Sequence, residues 1–200
     1  DRIVTTGEGG IITTQDPELA AKLRLLRSHG MTRDASLMSQ EPPGPWYYEQ
    51  IDLGFNYRMT DFQAALGLSQ LKRMDEMREA RTLKAERYNS LLADLPLRLP
   101  PRFNDRISAW HLYVVEIDSD RTQVTRRSVF DAMRDSGIGV NVHYIPIHTQ
   151  PYYQRLGFRV GQFPVSEKYY SNAISIPLFP TLSDADQIKV VNVLRQLLPA

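Results

Sequence analysis

Apolar and polar positions alternate with several periods along this chain, and each period predicts an element. Ile3-Val4-Thr5-Thr6 and Ile11-Ile12-Thr13-Thr14 read as two strands flanking the turn Gly7-Glu8-Gly9-Gly10, in the manner of a hairpin. Asp16-Pro17-Glu18 then supplies an N-cap, a proline in the first helical turn and an acidic start. The helix that follows carries Leu19, Leu23 and Leu26 on one stripe and stops at Gly30. Residues 31–54 lose periodicity and hold Pro42, Pro43 and Pro45 before Trp46-Tyr47-Tyr48. A loop of that length inside a domain is functional or disordered.

Thr60-Asp61-Phe62-Gln63 has the form of a capping box and predicts the longest helix, running to about residue 93 through Leu66, Leu68, Leu71, Met74 and Met77. Its apolar spacing is not a strict heptad, which favours a spine joining two domains over a coiled-coil arm. Leu95-Pro96 ends it. Beyond, strands predicted over 110–117, 139–145 and 174–176 alternate with helices over 125–135 and 167–173. A last amphipathic helix, capped by Ser183, reaches Leu198. This alternation predicts an α/β or α+β domain of about a hundred residues.

Composition changes the picture mainly by exclusion. The 200 residues are 42% hydrophobic and 24% charged, with a net charge of +1, so neither nucleic acid nor an anionic membrane is indicated as a partner. There is no cysteine, which excludes disulfides, thiolate metal sites and a cysteine nucleophile and is compatible with a cytoplasmic setting. No apolar run is long enough to span a bilayer. A chain that opens inside a strand reads as a piece of a longer protein.

Four stretches could carry chemistry. The glycine turn at residues 7–10 is neither a Walker loop nor a dinucleotide fingerprint, and alone it is a tight turn. Asn56 and Arg58 lie just ahead of a helix N-terminus, where an amide and a guanidinium suit a phosphate or carboxylate. The alternative there is a turn at Asn56 and an Arg58–Asp61 pair. Residues 143–153 gather His143, Tyr144, His148, Tyr152 and Tyr153. Strand alternation would put His143 and Ile145 on one face and Tyr144 on the other. Two histidines with no carboxylate nearby in sequence make a poor metal site. They suit a polar ligand, or else the stretch is an aromatic cover on the core. Trp46, Tyr47 and Tyr48 could stack on a sugar or a base, or form a protein contact. No Ser–His–Asp order or nucleophile elbow supports hydrolase chemistry. The residues alone thus indicate a small-molecule site built from loops and suited to an anion.

Taken in order, ITTGEGG-type turns, HG, GFNYRMTDFQAALGLSQL, VHYIPIHTQPYY and AISIPLFPTLSDAD resemble the DegT/DnrJ/EryC1/StrS family of sugar aminotransferases, over essentially the whole chain. The resemblance implies pyridoxal 5'-phosphate (PLP) as cofactor on the fold-type I, aspartate aminotransferase-like α/β scaffold. It implies the C-terminal half only: the end of the large domain (residues 1–60), a connecting helix (61–94) and the small domain (95–200). The stretches WYYEQ, HYIPIHTQPYYQRLGF and ISIPLFP look similar to the pseudaminic acid branch. There, glutamate donates an amino group to the C4 keto carbon of a UDP-linked 4-keto-6-deoxy-N-acetyl hexose.

The resemblance also implies roles. Asn56 and Arg58 would reach the cofactor phosphate or the substrate of the neighbouring subunit, since the family forms homodimers with shared active sites. Glu8 and Gly9 would shape the backbone near the cofactor-binding lysine. His143, Tyr144 and His148, with Trp46, Tyr47 and Tyr48, would line the sugar-nucleotide side. The family's Schiff-base lysine lies just upstream of the TTGEGG turn. Arg2 stands near that register, and no lysine occurs before Lys22. Arginine stays protonated and cannot take the role. Either the lysine precedes Asp1 or it has been replaced, and on either reading this chain alone would be inactive. The alternatives are a catalytically dead relative that binds PLP or a sugar nucleotide, and a non-enzymatic interaction module.

Overall fold

A computed structural model describes residues 3–199 and divides into two compact units, Val4–Lys72 and the chain from Arg73 onward. In the first unit, α1 (Pro17–Leu26) begins as predicted, with the Asp16 carboxylate accepting from the N–H groups of Glu18 and Leu19. It ends in two left-handed residues, His29 at φ 61° and Gly30 at φ 68°. Glycine is required at the second, because a Cβ there would stand 1.9 Å from the carbonyl oxygen of Asp52. The loop that follows is not structureless. A short antiparallel pair, β1 (Met31–Thr32) and β2 (Glu49–Gln50), closes it.

The hairpin expected around the glycine turn is absent: residues 3–6 and 11–14 form no ladder. The backbone groups that would build it are taken by side chains of α2 (Asp61–Leu71). Gln70 accepts from the Thr5 N–H (3.1 Å) and donates to the Thr5 carbonyl (2.7 Å), and Gln63 donates to the Glu8 carbonyl (2.8 Å). A side-chain amide so placed substitutes for a strand neighbour. The Thr60–Gln63 capping box forms as expected. The single helix predicted to residue 93 does not: α2 stops at Leu71, and α3 (Met74–Leu91) starts afresh after Lys72 and Arg73. No glycine or proline marks this break, so the apolar period reads straight through it.

In the second unit the sheet runs β3 (Leu97–Arg98), β4 (Tyr113–Ile117), β5 (Ala173–Ile176), antiparallel throughout, with Leu97 opposite Ile117 and Tyr113 opposite Ile176. Along β4, Tyr113, Val115 and Ile117 are buried while Val114 and Glu116 are half-buried, the two-residue period of a strand with one covered face. The strand starts three residues later than predicted because Trp110 turns the chain at φ 48°. The strand expected over 139–145 shrinks to a single bridge between Asn141 and Ser175. After it the chain enters a 3-10 turn (Ile147–Thr149) and α5 (Pro151–Arg155), neither of which periodicity predicted.

Helices α4 (Arg126–Asp135), α6 (Pro164–Asn172) and α7 (Asp184–Leu197) lie close to their predicted places. Thr125 and Ser183 cap α4 and α7. Val129 and Met133 of α4, and Val190, Val191 and Leu194 of α7, enter the core with Tyr88 of α3 and Leu92 just after it. Two buried polar side chains there are tied to backbone carbonyls. The Tyr88 hydroxyl donates to the Pro177 carbonyl (3.0 Å), and Gln187 donates to the Lys84 carbonyl (2.7 Å). Burial pushes the Tyr88 and Tyr113 phenols well above their usual pKa, which keeps both as neutral donors. Among the described residues no helix is long and apolar enough to cross a membrane.

Candidate functional site

The first unit presents Asn56 and Arg58 on a segment hydrogen-bonded to the end of α1. The segment 51–57 runs antiparallel to the end of α1: the Phe55 N–H donates to Leu26 (2.9 Å), His29 to Phe55 (3.0 Å), and Tyr57 to Arg27 (2.9 Å). Gly54 permits this approach, since a Cβ there would lie 2.4 Å from the Gly30 nitrogen and the Leu26 carbonyl oxygen. Lys22 on α1 pairs with Asp52 on the segment, and this contact holds the Asp52 carboxyl below its usual pKa. The side chains of Asn56 and Arg58 are exposed and make no hydrogen bond or ion pair among the described residues. The Arg58–Asp61 pair considered from sequence does not form. An amide and a guanidinium are thus held free just ahead of α2, the donor set a phosphate needs.

The glycine turn in the same unit is clamped from one side. The Glu8 carbonyl accepts from both the Thr6 hydroxyl (2.9 Å) and Gln63 (2.8 Å). Gly9 takes φ 152°, and a Cβ there would meet the Thr6 hydroxyl at 2.5 Å. On α2, Gly67 lies between Gln63 and Gln70 on one face, close enough that a Cβ would touch Thr6 at 3.1 Å. Gln63, Gly67 and Gln70 escaped the sequence reading. Their signal was a polar–small–polar stripe at i, i+4, i+7 on an otherwise apolar helix. Arg2 lies outside the described residues.

The aromatic loop divides. Tyr47 turns into the loop, where its hydroxyl donates to Glu49 (3.2 Å), and Glu49 also accepts from the Ser39 N–H (2.8 Å). Those bonds, the Ser39 amide above all, hold the Glu49 carboxyl below its usual pKa. Trp46 and Tyr48 stay exposed.

In the second unit an open pocket of about 540 Å³ is lined by residues 144–148 and by Tyr153, Phe158, Phe163, Ser166 and Tyr169. With no strand over 139–145, the expected sorting of faces fails: Tyr144 and Ile145 line the same pocket. Tyr144 is 71% exposed. His143 instead reaches the sheet, its Nδ1 lying 2.8 Å from the Ser175 hydroxyl. His148 is 7% exposed, and its Nε2 lies 2.7 Å from Glu167 Oε1. An ionised carboxylate only accepts, so Nε2 carries the proton. That bond is the main reason the Glu167 carboxyl sits below its usual pKa. The carboxylate missing from the sequence neighbourhood of His148 therefore arrives from α6. No group of three or more metal-ligating side chains occurs among the described residues.

Comparison with known proteins agrees with this architecture. The family profile described as DegT/DnrJ/EryC1/StrS aminotransferase matches residues 1–195. The chain is 42% identical over 197 residues to the spore coat polysaccharide biosynthesis protein SpsC of Bacillus subtilis, covering 97% of this chain and 50% of that one. Among solved structures, PseC of Helicobacter pylori, an aminotransferase involved in the biosynthesis of pseudoaminic acid, superposes with a TM-score of 0.80 at 29% identity, over 98% of this chain and 50% of that one. The aminotransferase TlmJ of Streptoalloteichus hindustanus gives a TM-score of 0.79 at 29% identity, over 98% and 49%. The chain therefore spans about half the length of these relatives and carries a partial fold-type I aminotransferase fold. It belongs to the DegT/DnrJ/EryC1/StrS aminotransferase family.

Proposed function

We propose that this chain is the C-terminal part of a PLP-dependent nucleotide-sugar aminotransferase. It would move an amino group from glutamate to a 4-keto-6-deoxy nucleotide sugar in surface polysaccharide or pseudaminic acid synthesis. In this reading residues 1–60 end the large domain, 61–94 connect, and 95–200 form the small domain. A cytoplasmic homodimer with shared active sites completes it.

The observation that carries the reading is the pair of free side chains, Asn56 and Arg58, on a backbone pinned to α1. They fit the phosphate of PLP, because a guanidinium offers charge and an amide a directed donor beside a helix N-terminus. The family's aminotransferases use PLP. When bound, it supplies the electron sink for amino transfer. The chain's own residues would do the rest. Arg58 and Asn56 hold the phosphate. Gln63 and Gln70 fix the backbone of residues 5–8. Tyr144 and the aromatic pocket take part of the sugar nucleotide, with His143 and His148 anchoring that wall, and the exposed Trp46 and Tyr48 offer rings for a further contact. Lys22 is paired with Asp52.

The test uses the full-length source protein. Incubated with PLP, glutamate and a UDP-4-keto-6-deoxy-N-acetyl hexose, it should yield the amino sugar nucleotide with ping-pong kinetics, read by mass spectrometry. Arg58→Ala should weaken PLP binding by roughly tenfold or more, the scale of a lost charge-assisted contact, while leaving the melting temperature unchanged. A protein that forms no borohydride-reducible PLP adduct and no amino sugar would overturn the reading.

A further inference from the structure

A carboxylate that does not itself line the aromatic pocket is bonded to one of its lining residues, His148. Glu167, in the first turn of α6, uses a single oxygen to accept from His148 Nε2 at 2.7 Å and from the Gly161 N–H at 2.7 Å. Three pieces of chain meet at that atom: the turn at Ile147–Thr149, the loop before α6, and α6 itself. The buried His148 ring in turn meets the edge of Phe163 at 4.8 Å between centroids, and Phe163 lies 6.5 Å from Phe158. Residues 147, 148, 163 and 158 all line the pocket. Gly161, at φ 89°, lets its N–H turn toward the carboxylate, so the loop's path is built around this contact.

The lining holds no lysine or arginine. A diphosphate would find no counter-charge there. A flat uncharged ring would find faces and edges on Tyr144, Tyr153, Phe158, Phe163 and Tyr169, and stacking of a base on an aromatic side chain is favourable whatever the base.

We propose that Glu167 is a positioning residue: through His148 and Gly161 it holds the aromatic walls at the spacing that receives the nucleobase of the nucleotide sugar. The proposal rests on the nucleotide-sugar reading above. Glu167 touches no reacting atom. Its effect is on binding of one substrate, transmitted through two neighbours.

The experiment compares Glu167→Ala, Glu167→Asp and Glu167→Gln in the full-length enzyme. In Glu167→Ala, KM for the nucleotide sugar should rise roughly tenfold, the scale of a small misplacement of a binding wall, with kcat little changed and the glutamate half-reaction unaffected. Calorimetry with UDP alone should show the same loss of affinity. Glu167→Gln keeps an acceptor oxygen at the same reach and should restore both values to near wild type. Glu167→Asp is one methylene too short to serve both donors and should fall between. Should the alanine variant fold poorly, the Asp and Gln variants carry the comparison. An equal loss in both half-reactions, or unchanged UDP affinity in the Ala and Asp variants, overturns the proposal while leaving the aminotransferase reading intact. A wild-type enzyme that neither binds UDP nor aminates the sugar overturns both.

Discussion

The two units of this chain are held together by different means. From Arg73 onward, one apolar core runs from Ala85 to Leu198, with Tyr88, Leu92, Tyr113, Met133, Ile174 and Leu194 at or near zero exposure. In Val4–Lys72 only Gly30, Thr32 and Gly67 are buried. Its large apolar side chains face outward: Leu53 is 74% exposed, Tyr57 76% and Phe62 91%. Hydrogen bonds and close glycine contacts fix its path instead. A segment ordered in this way can present polar side chains at defined positions, but burial adds little to its stability. The core of the second unit resists small changes, whereas the geometry of the first depends on single atoms.

That contrast makes its sharpest prediction in the core. Leu194→Ala should destabilise the second unit by about 2–5 kcal/mol, measured by denaturant unfolding, because the cavity has no way to collapse in so closed a cluster. Leu53→Ala should change stability by less than about 0.5 kcal/mol in this chain. If Leu53→Ala cost as much as Leu194→Ala, the contrast would be wrong.

A smaller effect is expected at Gly54. A methyl group there meets backbone on two sides, so Gly54→Ala should cost about 1–3 kcal/mol locally. The readout is faster amide exchange at Phe55 and Tyr57, the donors that tie the segment to α1, with exchange in β4 unchanged. Loss of order in both units together would show that they fold as one.

Acid should separate the units most gently. Asp52 and Glu49 in the first, and Asp94, Asp184 and Glu167 in the second, are all held below their usual pKa by hydrogen bonds or cations. A depressed folded pKa means stability that is present above the unfolded value, about 4, and is lost as pH falls through the folded one. Below about pH 4, amide exchange in 31–57 should therefore rise before the core signals of Tyr88 and Tyr113 change. Simultaneous loss would mean that the core, too, depends on these pairs.

How much was legible from sequence follows the same line. Capped helices were plain: Asp16, Thr60 and Ser183 each carry their signal within four residues, and each cap forms. The resemblance carried by the ordered motifs agrees with the family match over residues 1–195. Strands were read too freely. Thr5 and Thr6 have strand propensity but no partner strand, since Gln70 and Gln63 take their place. Residues 139–145 alternate well yet keep one bridge. The break at Lys72 and Arg73 had no residue to announce it.

For the candidate site, the sequence by itself determined that Asn56 and Arg58 stand just ahead of a capped helix start, because the Thr60–Gln63 capping box is local. It also determined the glycines that the turns demand. Tertiary structure alone decided that Arg58 stays free, that Tyr47 turns into its own loop, and that Glu167 stands behind His148 from 19 residues away. The physical reason is range. Caps and turns are settled by bonds within a few residues, whereas pairing a buried histidine with a carboxylate depends on how α6 packs against the chain before it.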